Sequence, residues 1–382
     1  MIQSMLDTDT YKCSMGQAVL QLFPRAKAEY AFINRGGHKF DQRFMQDLRK
    51  GLGMLGCLQI EEREKEWMQQ NLLFLTPAYI DFFSHYRFDV SEISLALVGD
   101  QLALTVMGPW YRSIYFEVPL MAIISEIYCK RYVAASNTDE INMKKATTLR
   151  KAGVGFADFG TRRRYSFANH DKVVGDMKKY ARESFVGTSN MYLAMRHNLK
   201  AIGTQAHEWT QGMAAIYGYR YATEKALEHW VDVYQGDLGI ALTDTFTTDV
   251  FLKSFGKKHA KLFDGVRCDS GDPCVFADKI IEHYTNLQID PMTKTIVFSD
   301  GLDVSSVIAI EHHCAGRIKT SFGVGTNLAN DVGITPMNIV IKMTALAPDG
   351  VHWVDTVKLS DDVGKNTGDS EAIDLCVKSL GL

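Results

Sequence analysis

"GVRCDSGDPCVFADKIIEHYTNL", residues 265–287, decides how the chain is to be folded. A short apolar run ends in charged residues, Arg267, Asp269 and Asp272, and a helix-like stretch follows at once. The same unit recurs on both sides of it. Apolar runs with small or charged ends stand at 153–164 (GVGFADFGTRRR), 200–209 (KAIGTQAHEW), 238–246 (LGIALTDTF), 294–303 (KTIVFSDGLD) and 317–327 (RIKTSFGVGTN), with helix-like segments between them. Alternation of strand and helix implies parallel strands joined by crossovers. Six units are too many for a small doubly wound sheet, and no G-x-G-x-x-G opens the first. The expected class is α/β, with an irregular (β/α) barrel from about residue 150.

Residues 1 to about 125 have a different texture. EEREKEWMQQNLLFL (61–75) and PAYIDFFSHYRF (77–88) read as amphipathic helices. ISLALVGDQLALTVMGPW (93–110) reads as a hairpin around Gly99-Asp100. PLMAIISEIYCKRYV (119–133) reads as a buried helix with Pro119 near its first turn. The chain of 382 residues is 46% hydrophobic and 23% charged, enough for a sizeable core. A net charge of −3 argues against nucleic-acid binding driven by bulk electrostatics, though not against local basic patches. No apolar run reaches the roughly 20 residues that span a bilayer, and the start carries no secretion signal. Seven scattered cysteines fit free thiols in a reducing cytoplasm.

In such barrels the strand ends converge on one face. The ends of the six runs bring Arg162–Arg164, His207, Asp244, Arg267 with Asp269 and Asp272, Asp300 with Asp303, and Gly323-Gly325-Thr326 to that face. Charges gathered there are costly to desolvate unless they pair or bind something. The pattern points to a polar ligand with anionic and hydroxyl parts. Gly323 and Gly325 suit close backbone approach to a phosphate, although Gly-x-Gly is common in turns. The three arginines read either as a solvated charge run or as a clamp for phosphate or carboxylate, with one or two facing inward. Asp269 and Asp272 read either as a local salt bridge with Arg267 or as carboxylates for ribose hydroxyls or hydrated Mg²⁺. His207 is open to three readings: a core histidine, a metal ligand or a reacting group. The absence of H-E-x-x-H disfavours zinc. A carboxylate from the adjacent strand end, Asp244, would fix its tautomer and make its other nitrogen a better base or nucleophile.

LDTDTYK, DFGTRRR, FVGTSN, GTQAHEW, LTDTF, RCDSGDP, VFSDGLD and FGVGTNL follow in this order, and together they resemble the bacterial nicotinate phosphoribosyltransferases, of the type II phosphoribosyltransferase family, over nearly the whole chain. The resemblance implies a barrel over 126–345 and a second α+β domain from 1–125, joined by 346–382. It implies condensation of nicotinate with phosphoribosyl pyrophosphate (PRPP) to nicotinate mononucleotide and pyrophosphate, the entry to NAD salvage from nicotinate. It further implies Mg²⁺, ATP as co-substrate, and coupling through a phosphohistidine at His207, with Asp244 orienting the ring. Tyr11 would stack on the pyridine from a neighbouring subunit, implying a homodimer with shared sites, and Phe159 would cover the opposite ring face. Thr204, Arg267 and Arg162 would contact the pyridine substrate. Asp269, Asp300 and Gly301 would hold the ribose, and Gly325 and Thr326 the 5′-phosphate. The enzyme would be cytoplasmic, with small-molecule partners and neither nucleic acid nor membrane.

Ser189 separates nicotinate from nicotinamide within this resemblance. Nicotinamide-using relatives carry an aspartate there. A carboxylate about 4 Å from that of nicotinate would repel it by roughly 4 kcal/mol at an effective dielectric near 20. A neutral serine removes the repulsion, so nicotinate is the expected substrate. A nicotinamide or quinolinate enzyme, or a non-catalytic nucleotide binder on the same barrel, is the alternative.

Overall fold

A computed structural model describes residues 1–131, 138–362 and 366–382. Eleven strands are formed among them: β1 (Lys27–Asn34), β2 (Ile93–Val98), β3 (Gln101–Pro109), β4 (Phe156–Asp158), β5 (Phe185–Thr188), β6 (Ile240–Leu242), β7 (Gly265–Cys268), β8 (Thr295–Phe298), β9 (Lys319–Val324), β10 (Ile339–Ala347) and β11 (Val354–Asp355). They build two sheets with different physics.

The first sheet is antiparallel, in the order β11-β10-β1-β3-β2. Strands β2 and β3 are the hairpin read from the sequence, turning at Gly99, whose φ is +63°. Strand β1 alternates, burying Ala28, Tyr30 and Phe32. Its other neighbour is β10, paired from Lys27 with Ala347 to Asn34 with Ile339. The chain therefore returns to the N-terminal sheet at Ile339, inside the stretch that the sequence reading carries with the barrel to 345. The predicted helices appear as Glu62–Asn71, Pro77–His85 and Glu117–Cys129; Tyr132 and Val133 lie outside the described residues.

The second sheet is parallel throughout, in the order β5-β4-β9-β8-β7-β6. Its two edges are brought together by the stretch before His207. Ala201 bridges Thr188 of β5 in parallel, and Thr204 Oγ1 donates to the Ile240 carbonyl of β6 at 3.0 Å. The result is an irregular α/β barrel with one stave reduced to a bridge. Two expectations need correction. The run 200–209 is not a full strand, and FVGT (185–188), absent from the six runs, is one. Gly187 explains the seam: its φ is +151°, and a Cβ there would stand 2.2 Å from the Lys200 carbonyl oxygen.

Helix starts follow each stave. Asp272 accepts from the amides of Cys274 and Val275 with Pro273 in the first turn, and Asp303 forms a capping box with Ser306; both use helix-start chemistry visible in the sequence. One apolar core runs through both sheets' surroundings. Trp110, at the end of β3, stacks on Trp209 of the helix His207–Tyr217 at 6.4 Å.

Candidate active site

The barrel mouth and the first sheet enclose two adjoining cavities. The smaller, about 50 Å³, is bordered by Tyr11, Tyr30, Glu117, Arg162, Glu208, Gln211 and Arg267 among others. The larger, about 780 Å³, is bordered by Arg35, Arg163, Asp300, Lys358 and Ser360 among others. His207, Asp269 and Lys342 border both.

His207 does not end a strand. An extended stretch delivers it to the first position of the helix His207–Tyr217. It is 6% exposed and its partners are polar. Nε2 lies 3.0 Å from Asp269 Oδ2 and Nδ1 lies 3.2 Å from the Thr245 hydroxyl. Asp244 stands further back, at 3.7 Å. The carboxylate that hydrogen-bonds the imidazole in this structure is therefore Asp269, where Asp244 was expected. A neutral ring satisfies these partners with its proton on Nε2, donating to Asp269, and its lone pair on Nδ1. Burial, reinforced by the Lys358 ammonium, lowers the His207 pKa to about 4, against the pull of Asp244 and Asp269. Near neutral pH the imidazole is uncharged and nucleophilic. Asp269 stays ionised: burial opposes this, but Arg267 and His207 hold its pKa well below the usual carboxylate range.

Asp244 accepts from Ser270 at 2.6 Å and Lys358 at 3.0 Å through Oδ2. Its Oδ1 is buried and has no hydrogen-bond partner. Ligand atoms of His207, Asp244 and Asp269 lie within 4.8 Å of one another, and an orphaned carboxylate oxygen is a donor that a hard divalent cation would take.

The arginine run divides as expected. Arg162 faces the smaller cavity and Arg163 the larger. Arg164 is fully buried and held bidentately by Asp7, at 2.6 and 2.8 Å. Arg267 donates to Ser299 (2.8 Å) and the Gln205 carbonyl (3.1 Å) and pairs with Asp269 at 2.9 Å.

Tyr11 lies in its own chain's site. Thr10 N donates to the Ser189 carbonyl at 2.8 Å, and Lys12 bonds Glu208 at 2.6 Å, which seats the helix Thr10–Leu22 at the barrel mouth. The Tyr11 ring has the Arg162 guanidinium 5.8 Å and the Lys12 ammonium 5.5 Å from its centroid, and its buried hydroxyl has no partner.

Other expected residues support the site without bordering either cavity. The Phe159 ring fills the space a Cβ on Gly323 would take. Thr204 spends its hydroxyl on the barrel seam. Ser189 donates to Asp9 at 2.7 Å. Gly301 has φ +59°; its loop is tied to the Gly325-Thr326 turn by the Asn327 amide, which donates to the Leu302 carbonyl at 2.6 Å. Asp272 and Asp303 cap the helices that follow β7 and β8.

Sequence reasoning missed Lys342, Lys358, Arg35 and the buried ions Asp9, Lys12, Glu117 and Glu208. Lys342 left a signal: a lone cation in IVIKMTALA, on the half-buried face of β10. Burial lowers its pKa to about 8. Glu208 sits beside His207 and accepts from Lys12, Tyr30 and Trp110, all N-terminal.

Fold and site together define an α/β-barrel protein whose mouth offers an aromatic, arginine-bordered recess beside a cation-rich chamber, with an uncharged histidine between them. Comparison with known proteins carries this further. Residues 6–125 match the nicotinate phosphoribosyltransferase N-terminal domain, and residues 154–381 match the nicotinate phosphoribosyltransferase (NAPRTase) family. Nicotinate phosphoribosyltransferases of Chromohalobacter salexigens and Desulforapulum autotrophicum are each 49% identical, over 100% of this chain and 99% of theirs. The crystal structure of nicotinate phosphoribosyltransferase from Porphyromonas gingivalis superposes with a TM-score of 0.98 at 43% identity, covering 100% of both chains. The chain belongs to the nicotinate phosphoribosyltransferase family.

Proposed function

We propose that this chain condenses nicotinate with PRPP to give nicotinate mononucleotide and pyrophosphate, a step of NAD salvage carried out in the cytoplasm, and that ATP hydrolysis is coupled to it through phosphorylation of His207. The observation that carries the reading is the uncharged His207 at the junction of the two cavities. The smaller cavity suits a flat anionic ring: Tyr11 offers a face, and Arg162 and Arg267 offer guanidinium groups for the carboxylate. The larger suits PRPP, with Arg35, Arg163, Lys342 and Lys358 facing a polyanion and Asp300 facing its ribose. Gly325 and Thr326 lie beside the Gly301 loop, where a 5′-phosphate would meet backbone N–H groups.

In the reaction the bond from ribose C1 to the pyrophosphate oxygen breaks, and its electron pair leaves with pyrophosphate. The pyridine nitrogen donates its own pair to C1. Asp269 and Asp300 stabilise the positive charge that develops on the sugar. Mg²⁺, when bound, supplies charge neutralisation to the leaving group; Asp244 and Asp269 are the carboxylates that fit it. Phosphate on His207 would add negative charge and new acceptors where the cavities meet, reorganising the contacts of Asp269 and Lys358.

Pyrophosphate release from PRPP, measured with nicotinate or nicotinamide and with or without ATP, tests the reading. Release is expected with nicotinate and is expected to rise with ATP. Incubation with γ-labelled ATP is expected to place an acid-labile label on His207; a label elsewhere, or none, would falsify the coupling.

A further inference from the structure

Ser189 presents a neutral hydroxyl, yet a carboxylate stands directly behind it. Ser189 Oγ donates to Asp9 Oδ1 at 2.7 Å, and Asp9 is 1% exposed. The other oxygen of Asp9 lies 3.6 Å from Arg162 Nε. Glu117 approaches the same guanidinium at Nη1, at 3.3 Å, and shares itself with Lys12 at 2.7 Å. The neighbouring Arg164 shows the contrast: Asp7 grips it with two short bonds. Arg162 is approached by two carboxylates, each beyond the about 2.7–2.9 Å of a tight charge-assisted bond; burial pushes the Asp9 carboxyl above its ordinary range, and Arg162 and the Ser189 hydroxyl oppose this by favouring its charge. Its charge is divided before any ligand arrives.

We propose that Asp9 is a specificity-determining residue that acts through Arg162, moderating the field by which the smaller cavity prefers a carboxylate-bearing ring to a neutral one. This rests on the reading of that cavity as the nicotinate pocket. An anionic ring must share Arg162 with Asp9 and Glu117, so Asp9 weakens its binding, and weakens equally the binding of a product that keeps the carboxylate. Interaction uniform to substrate and product does not help turnover once the site is filled, and an anion that limits it favours release. A neutral ring of the same shape is indifferent to this charge to first order. Asp9 borders neither cavity, so its influence passes through Arg162, which does.

The test is Asp9→Asn, titrated calorimetrically with nicotinate and with nicotinamide. Asparagine keeps the local contacts, because its amide nitrogen can donate to Ser189 Oγ while its oxygen faces Arg162. The nicotinate Kd is expected to fall about tenfold and the nicotinamide Kd to stay within about twofold of wild type. Asp9→Ser, a smaller neutral side chain, is expected to act in the same direction and decides the matter if Asp9→Asn does not fold. An unchanged or raised nicotinate Kd, or equal shifts for both rings, overturns the proposal. A wild-type protein that binds no nicotinate overturns the functional reading instead, so the two failures are distinct.

Discussion

At position 189 the absence of a charge matters because of what lies behind it. The electrostatic case for nicotinate treats serine as removing repulsion, and the Asp9 carboxylate bonded to its hydroxyl limits how much is removed. Ser189→Asp would set two buried carboxylates about 3 Å apart, a repulsion of about 5 kcal/mol at an effective dielectric of 20, and one of them would be driven to hold a proton. The expected outcome is a loss of at least about tenfold in kcat/KM for nicotinate in steady-state assays; an unchanged value sinks the account of selectivity. His207 yields a pH prediction. Its native pKa is about 4 against 6.5 for an ordinary histidine, chiefly through burial. Between those values the unfolded chain binds a proton at 207 that the native chain does not, so stability falls as pH drops from 6.5 towards 4. The contribution reaches about 3 kcal/mol. Denaturant titrations of wild type and His207→Asn at pH 7 and pH 4.5 check it: the variant is expected to lose less stability on acidification.

Among the elements, the weak point of the barrel is the seam between β5 and β6. Gly187 lets the Lys200–Ile202 stretch lie against β5, with Ile202 N donating to the Thr188 carbonyl at 2.9 Å. Gly187→Ala puts a Cβ into the Lys200 carbonyl and an alanine at φ +151°. A cost of about 2–4 kcal/mol is expected, read as a lower denaturant midpoint. Because the same stretch leads into His207, kcat is expected to fall as well, whereas a surface glycine exchange would leave it alone. The sequence reading of this region went astray for a physical reason. FVGT is four residues long with a glycine inside, too brief to show a strand's period, while KAIGTQAHEW is longer but spends its polar groups on neighbours instead of a ladder.

Taken as a whole, the molecule is joined across its two sheets by buried ions as well as by Trp110 and Trp209. Lys12 is fully buried between Glu117 (2.7 Å) and Glu208 (2.6 Å). Burial raises the Glu117 pKa, but Lys12 and Arg162 prevail and bring it to about 2, so both neighbours of Lys12 need its charge. Lys12→Met strands them and is expected to cost about 3–5 kcal/mol, seen as a lower unfolding temperature, while Lys12→Arg is expected to recover part of it. The same docking places Tyr11 beside Arg162 of its own chain.

The order of apolar runs, their polar ends and the eight motifs were enough to establish an irregular α/β barrel with a second α+β unit, and to name His207, Asp269, Arg162 and Arg267 as a cluster. These features are local: a strand's period, a helix cap and a charge at a strand end are each written within a dozen residues. Only the tertiary structure decided that Asp269 rather than Asp244 bonds the imidazole, that Tyr11 borders the smaller cavity, that Lys342 returns from the end of the sequence to border both cavities, and that Asp9 bonds Ser189. Each of those depends on which elements are neighbours in space, and neighbourhood is set by packing two sheets around one core, where residues up to some three hundred positions apart come within a hydrogen bond of each other.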